Sequence, residues 1–222
     1  MTILLICLAV AAVSYLLGSI MFGVIISNRF YHDDIRTHGS GSAGMTNMLR
    51  TFGKKAAVFT AAGDGLKAVA SVMFARLLVS MLLGGENQLV AMLIEYLAMA
   101  FVMLGHFKPL FFGFKGGKGV ITGGFSLLVI NPPVVLSMLA VFLVAFCTSR
   151  MVSLGSILAA SSYPVFTLLY GLVFQKQPLQ QVIAATAIAL FLGGSVVYMH
   201  RSNIKRILSG TEYKFDGSHK KN

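Results

Sequence analysis

The chain has 222 residues, of which 56% are hydrophobic and only 11% charged, and its mean hydropathy is +0.81. Soluble domains carry about a quarter charged residues, so this composition excludes a water-soluble globular protein and makes lipid the main solvent. The net charge of +11 comes from 18 Lys and Arg against 7 acids, but the basic residues fall between apolar runs, which points to membrane topology and not to nucleic acid.

A spanning helix needs roughly 17–25 mainly apolar residues. Such stretches occur at about 3–27, 56–83, 88–106, 132–149, 152–174 and 179–199. A seventh, about 118–131, is short and glycine-rich, and hydropathy leaves it ambiguous. The runs follow one another without a long polar segment, so residues 1–222 read as a single membrane-embedded domain.

Charge resolves the ambiguity, because cytoplasmic loops are enriched in Lys and Arg. With seven spans and an outside amino terminus, Arg29, Arg36, Arg50, Lys54 and Lys55 fall inside, as do Lys108, Lys115, Lys118 and Arg150. The tail adds Arg201, Lys205, Arg206, Lys214, Lys220 and Lys221, leaving Lys176 outside. The expected fold is an all-α integral membrane protein, a seven-transmembrane helix bundle with its N-terminus outside and its C-terminus cytoplasmic. The first run has no basic residue before it and is followed at once by positive charge, which favours an anchor over a cleaved signal peptide. Cys7 and Cys147 both lie in apolar runs, so neither a disulfide scaffold nor a cysteine zinc site is expected.

Ionisable groups inside spans are expensive and need partners. Arg76 lies eight residues before the turn at 84–87 and Glu95 eight after it. Antiparallel helices would bring them to one depth, which predicts an ion pair locking the bundle. Asp64 and Lys67, at i and i+3, can meet on one helix face, either as a self-satisfied pair or as a ligand contact.

The first inner loop, Asp34 to Arg50, contains Gly39, Ser40, Gly41, Ser42, Ala43, Gly44, Met45, Thr46 and Asn47. Residues 39–44 match G-x-G-x-x-G, but that spacing means dinucleotide binding only within a βαβ unit, and here an apolar span precedes it. What remains is either a flexible turn or an anion site, in which glycine backbone N–H groups approach phosphate. Ser40, Thr46, Asn47 and Arg50 favour the anion site.

The second inner loop runs from Gly105-His106 through Lys115, Gly116, Gly117, Lys118 and Gly119 to Thr122. It lacks the spacing of a nucleotide phosphate loop. Glycines placing Lys118 at the mouth of a short helix would nevertheless combine backbone donors, the positive helix end and an ammonium; the alternative makes these lysines topology markers. His106 falls where the preceding helix ends and can cap it. In the tail, a basic amphipathic segment suits lipid headgroups, whereas His200 and Asn203 share a helix face and match the depth of the other two loops.

Three inner segments rich in phosphate-suited groups suggest an enzyme joining a phosphorylated solute to a lipid. No H-E-x-x-H or Cys/His metal set is present, nor a His followed five residues later by Asp, nor a G-x-S-x-G serine elbow. The acidic set of CDP-alcohol phosphotransferases is also missing, since Asp64-Gly65 continues Leu66-Lys67-Ala68. The competing class, a membrane transporter of a phosphorylated small molecule, predicts inverted repeats and a midplane site, and the sequence offers neither.

Gly18-Ser19-Ile20 with Phe22-Gly23, the Asp34–Arg50 loop, the Gly105-His106 to Thr122 loop and the His200 to Glu212 tail together resemble the motifs of the acyl-phosphate-dependent glycerol-3-phosphate acyltransferases of bacterial membranes, the PlsY family. Ser42 stands where that family usually has Asn and Met45 where it usually has Ala; Lys108 and Ile121 also depart from the commoner residues. The resemblance implies transfer of a fatty acyl group from acyl phosphate to the sn-1 hydroxyl of glycerol 3-phosphate. The products would be 1-acylglycerol 3-phosphate (lysophosphatidic acid) and phosphate, in the first committed step of phospholipid synthesis.

The resemblance further implies catalytic roles for Ser40, Arg50, Lys118, His200 and Asn203. Phosphate-binding roles fall on Gly39, Gly41, Gly44, Thr46, Asn47, Gly116, Gly117 and Gly119. It implies no metal or cofactor, contact with membrane lipid and with the soluble enzyme that forms acyl phosphate, and a multi-pass place in the bacterial inner membrane with the active site on the cytoplasmic side.

Overall fold

A computed structural model describes residues 1–84 and 87–215; Lys220 and Lys221, counted above with the inner charges, lie outside them. Every regular element among the described residues is helical. That is what lipid demands of a spanning chain, because a helix satisfies its own backbone polar groups. Among the described residues, six segments are long and apolar enough to cross a bilayer: Thr2–Tyr31, Lys54–Leu83, Gln88–Phe112, Pro132–Ser149, Val152–Phe174 and Leu179–Met199. Many of their large side chains, among them Leu8, Phe59, Leu77 and Phe191, are exposed, as lipid-facing residues must be.

The chain forms two compact units, Met1–Pro132 and Pro133 onward. In the first, α1 (Thr2–Gly18) and α2 (Phe22–Tyr31) lead through α3 (Met45–Phe52) to the long α4 (Lys54–Leu83), then α5 (Gln88–Phe107) and the short α6 (Val120–Ile130). The second holds α7 (Pro132–Ser149, whose first residue closes the first unit), α8 (Val152–Leu169, continued by a wide turn at Tyr170–Phe174), α9 (Leu179–Met199) and α10 (Arg201–Leu208).

The first apolar run is broken where sequence predicted one helix over about 3–27. The helix stops at Gly18 and restarts at Phe22, because polar groups distant in sequence claim the backbone between. Lys67 Nζ donates to Gly18 O at 3.0 Å and Ile20 O at 2.6 Å. Ser19 Oγ donates to Tyr15 O and accepts from Leu110 N. Beside the break, α1 and α5 meet backbone to backbone, since a Cβ at Gly18 would collide with Val102 O and one at Gly105 with Tyr15 O. Small residues allow such close approach where apolar burial gives no net drive in lipid.

The predicted Arg76–Glu95 pair is present, with Nε to Oε1 at 2.7 Å and Nη2 to Oε2 at 3.1 Å. Arg76 Nη2 also donates to Val129 O at 2.8 Å, tying α4, α5 and the end of α6 together. The ambiguous seventh run is α6, an 11-residue helix. At 1.5 Å per residue it rises only about 16 Å, roughly half the hydrocarbon thickness.

Candidate functional site

The glycine-rich loop between α2 and α3 is an ordered structure. After α2, His32 turns left-handed and Asp34 caps a tight turn over Ile35–Thr37 by accepting from Arg36 N. The same carboxylate grips the Arg36 guanidinium, with Nη2 to Oδ2 at 2.7 Å. That hydrogen bonding holds the Asp34 carboxyl below the usual carboxylate range and raises Arg36 above its usual value. Arg36 Nη1 in turn donates to Phe112 O at 2.7 Å, so one guanidinium joins this loop to the one after α5.

Gly39 and Gly41 then take positive φ of 54° and 68°, conformations that suit glycine. Asn47 is buried and organises this stretch: its amide nitrogen is within 2.9–3.1 Å of the carbonyls of Ile35, His38 and Ser42, while Oδ1 accepts from Ser40 N at 3.1 Å. Both ends of the Asn47 amide thus serve the loop backbone, which fixes where Gly39, Ser40 and Gly41 lie. Thr46 and Arg50 are on α3, the latter one turn beyond Asn47.

The second glycine-rich loop follows α5. Residues 115–119 are irregular and end at Gly119, which at φ +78° starts α6. Lys118 therefore stands at the amino-terminal end of α6, where unpaired N–H groups and the helix dipole favour an anion. Beneath the loop, His106 is buried and does not simply cap α5: its Nδ1 lies 3.2 Å from Lys67 Nζ, and Lys67 also pairs with Asp64 at 2.8 Å.

In the second unit, His200 separates α9 from α10 and is buried. Its Nδ1 contacts Val196 O at 2.8 Å. A carbonyl only accepts, which assigns a hydrogen to Nδ1; whenever the ring is neutral, its lone pair is then on Nε2. Asn203 donates from Nδ2 to Glu212 Oε1 at 2.8 Å, and Ser153 Oγ donates to the same oxygen at 2.8 Å. Arg206 Nε binds Glu212 Oε2 at 2.7 Å. Glu212 and Ser153 were not among the sequence candidates. Glu212 sits within the tail motif, but no spacing marks Ser153, 59 residues away.

Burial works against ionisation of Glu212, but the donors Asn203, Ser153 and Arg206 outweigh it and leave the carboxyl below its ordinary value of 4.5. A folded value below the unfolded one stabilises the structure fully above the unfolded value and loses that contribution as pH falls through the folded one. Acidification from pH 7 to below about 4 is therefore expected to loosen the segment from Arg206 to Phe215. Hydrogen exchange at the two pH values checks this, and Glu212→Gln should remove most of the difference.

Fold and loops together define a multi-pass helical membrane protein that presents glycine-rich, basic loops suited to phosphate. Comparison with known proteins narrows the class. The family model described as glycerol-3-phosphate acyltransferase matches residues 8–210. A glycerol-3-phosphate acyltransferase of Clostridioides difficile (strain 630) is 42% identical over 205 residues, covering 92% of this chain and 93% of its own. One from Neisseria meningitidis serogroup B is 40% identical over 207 residues, covering 93% and 96%. The crystal structure of PlsY, an integral membrane glycerol 3-phosphate acyltransferase, in its glycerol 3-phosphate form matches with a TM-score of 0.76 and 35% identity over 94% of this chain and 95% of that one. Its lysophosphatidic acid form matches with a TM-score of 0.74. The chain belongs to the glycerol-3-phosphate acyltransferase family.

Proposed function

We propose that this protein acylates the sn-1 hydroxyl of glycerol 3-phosphate with a fatty acyl group taken from acyl phosphate, releasing lysophosphatidic acid and inorganic phosphate. The observation that supports this best is the match, over nearly the whole chain, to PlsY in forms with glycerol 3-phosphate and lysophosphatidic acid. The hydroxyl oxygen attacks the acyl carbonyl carbon, the new ester C–O bond forms, and the carbonyl carbon's bond to the phosphate oxygen breaks.

An acyl phosphate is already activated and expels a stable anion, so neither a covalent enzyme intermediate nor a metal is required. Positioning then dominates, worth on the order of 7–11 kcal/mol in favourable cases. Arg50 and Lys118 carry the charge that holds phosphate, with Ser40, Thr46 and the glycines 39, 41, 44, 116, 117 and 119 as backbone and hydroxyl donors. Asn47 contributes by shaping its loop. His200 and Asn203 orient the reacting groups, and the hydroxyl proton passes to a substrate phosphate or to His200 Nε2.

The residues 1–222 act as one membrane-embedded domain with seven crossings, α6 being the short one, the amino terminus outside and the carboxyl terminus cytoplasmic. The distribution of Lys and Arg supports that orientation, which places the catalytic loops on the cytoplasmic side of the bacterial inner membrane. Glycerol 3-phosphate and a soluble acyl-phosphate-forming enzyme reach them there.

Purified protein given acyl phosphate and glycerol 3-phosphate should release phosphate and form lysophosphatidic acid in equal amounts. Product formed from acyl-CoA or acyl carrier protein, with none from acyl phosphate, would exclude the proposed donor.

A further inference from the structure

We infer that Asp64, Lys67 and His106 form a buried positioning relay that holds the Gly116–Gly119 loop, and through it Lys118, in the shape that receives a substrate phosphate. This rests on the function proposed above and assigns work to three residues that otherwise have none in it.

Geometry gives the relay an order. Lys67 Nζ lies 2.8 Å from Asp64 Oδ1 and 3.2 Å from His106 Nδ1, whereas His106 Nδ1 and Asp64 Oδ1 are 3.7 Å apart. The last distance is too long for a hydrogen bond, so carboxylate and imidazole are linked through the ammonium that contacts both. An ammonium has hydrogens only to give. Nδ1 therefore accepts, and the ring hydrogen resides on Nε2.

The far side of the ring faces the loop. A Cβ added to Gly117 would collide with His106 Nε2, and one added to Gly116 with His106 O. Gly117 N donates to His106 O at 3.0 Å. The glycines at 116 and 117 thus lie directly on His106, and the next residue is Lys118. His106 is 3% exposed, too deeply covered to touch a soluble substrate, which makes it a positioning residue.

The other end of the relay is equally anchored. The same Lys67 ammonium binds Gly18 O and Ile20 O at the break between α1 and α2. Tyr15 Oη donates to Lys108 O at 2.9 Å, and Ser19 Oγ accepts from Leu110 N at 3.1 Å. The break in the first span and the second inner loop are therefore one connected polar structure with Lys67 at its centre. A single unpaired member would be costly in this setting, because low dielectric magnifies both a satisfied and an unsatisfied polar contact.

His106→Asn separates the relay's role from general folding. Its amide oxygen can still accept near the Nδ1 position, while the part of the ring that supports Gly117 is gone. The relay predicts a KM about tenfold higher for whichever substrate Lys118→Arg also weakens, with kcat changed less than threefold, since small displacements of a binding group suffice for such losses. His106→Gln, which restores a polar atom near Nε2, should recover part of that KM. An unchanged KM, a shift in the other substrate's KM, or an equal fall in kcat with both KM values constant would overturn the relay.

Hydrogen exchange supplies a readout independent of turnover. Amides of residues 116–119 should exchange at least fivefold faster in His106→Asn than in the unaltered protein, and equal rates would overturn the relay. If the unaltered protein forms no lysophosphatidic acid, the proposed function fails while exchange still decides the relay.

Discussion

Lys118→Ala is expected to lower kcat/KM for acyl transfer by roughly 100- to 1,000-fold, the range found when one preorganised donor to developing charge is removed. The residue precedes α6 by two positions, with Gly119 in a left-handed conformation between them and Gly117 buried on its other side. Ammonium, loop amides and the positive end of α6 therefore bear on one small region, and alanine would remove the only full charge of that set. Lys118→Arg should recover part of the loss, because charge persists, although a planar guanidinium cannot place a point donor where the ammonium was. Phosphate release from acyl phosphate in the presence of glycerol 3-phosphate measures both. A fall of less than threefold in Lys118→Ala would move the phosphate site elsewhere in the chain.

Spans and one ion pair were legible in the sequence because each rests on a short-range regularity. Apolar length marks the six long helical segments found among the described residues, and the equal spacing of Arg76 and Glu95 from residues 84–87 predicts their ion pair, which is present at 2.7 Å. The break at Ser19–Met21 was not legible, since its cause, Lys67, lies 47 residues from Ile20. The α3 helix was hidden for a different reason: Met45–Phe52 is only eight residues, half of them polar, too short to be stable without packing. Packing supplies the stability, because Met48 is buried with Met21, Val24 and Ile35.

The candidate loops divide in the same way. Glycine content and basic residues identify both inner loops and put Lys118 at the start of a short helix, as found. Which polar side chains face ligand and which face the protein is not encoded in spacing. Asn47 reads as a phosphate contact, yet its amide is taken up by the backbone of its own loop. The pairing of Glu212 with Ser153 depends on how α8 meets the tail, and the union of the two glycine-rich loops depends on Arg36 reaching Phe112 O. Those contacts are made by the fold and leave no local trace.

Lys67→Met should be the most destabilising single change among the buried polar residues, by about 3–5 kcal/mol, the range for removing one partner of a buried ion pair. Both side chains are 2% exposed, so water cannot replace the lost ammonium. Three acceptors, His106 Nδ1, Gly18 O and Ile20 O, lose their donor together, and Asp64 Oδ1 loses its counter-charge. Asp64→Asn should be milder, because the ammonium keeps the two carbonyls and the imidazole. The double variant, Asp64→Asn with Lys67→Met, should be more stable than Lys67→Met alone, since the stranded carboxylate is gone, yet less stable than Asp64→Asn, since both carbonyls at the helix break still lack their donor. Thermal unfolding in detergent or lipid ranks the three variants. If the two substitutions simply added, the carboxylate and the ammonium would not be acting on each other.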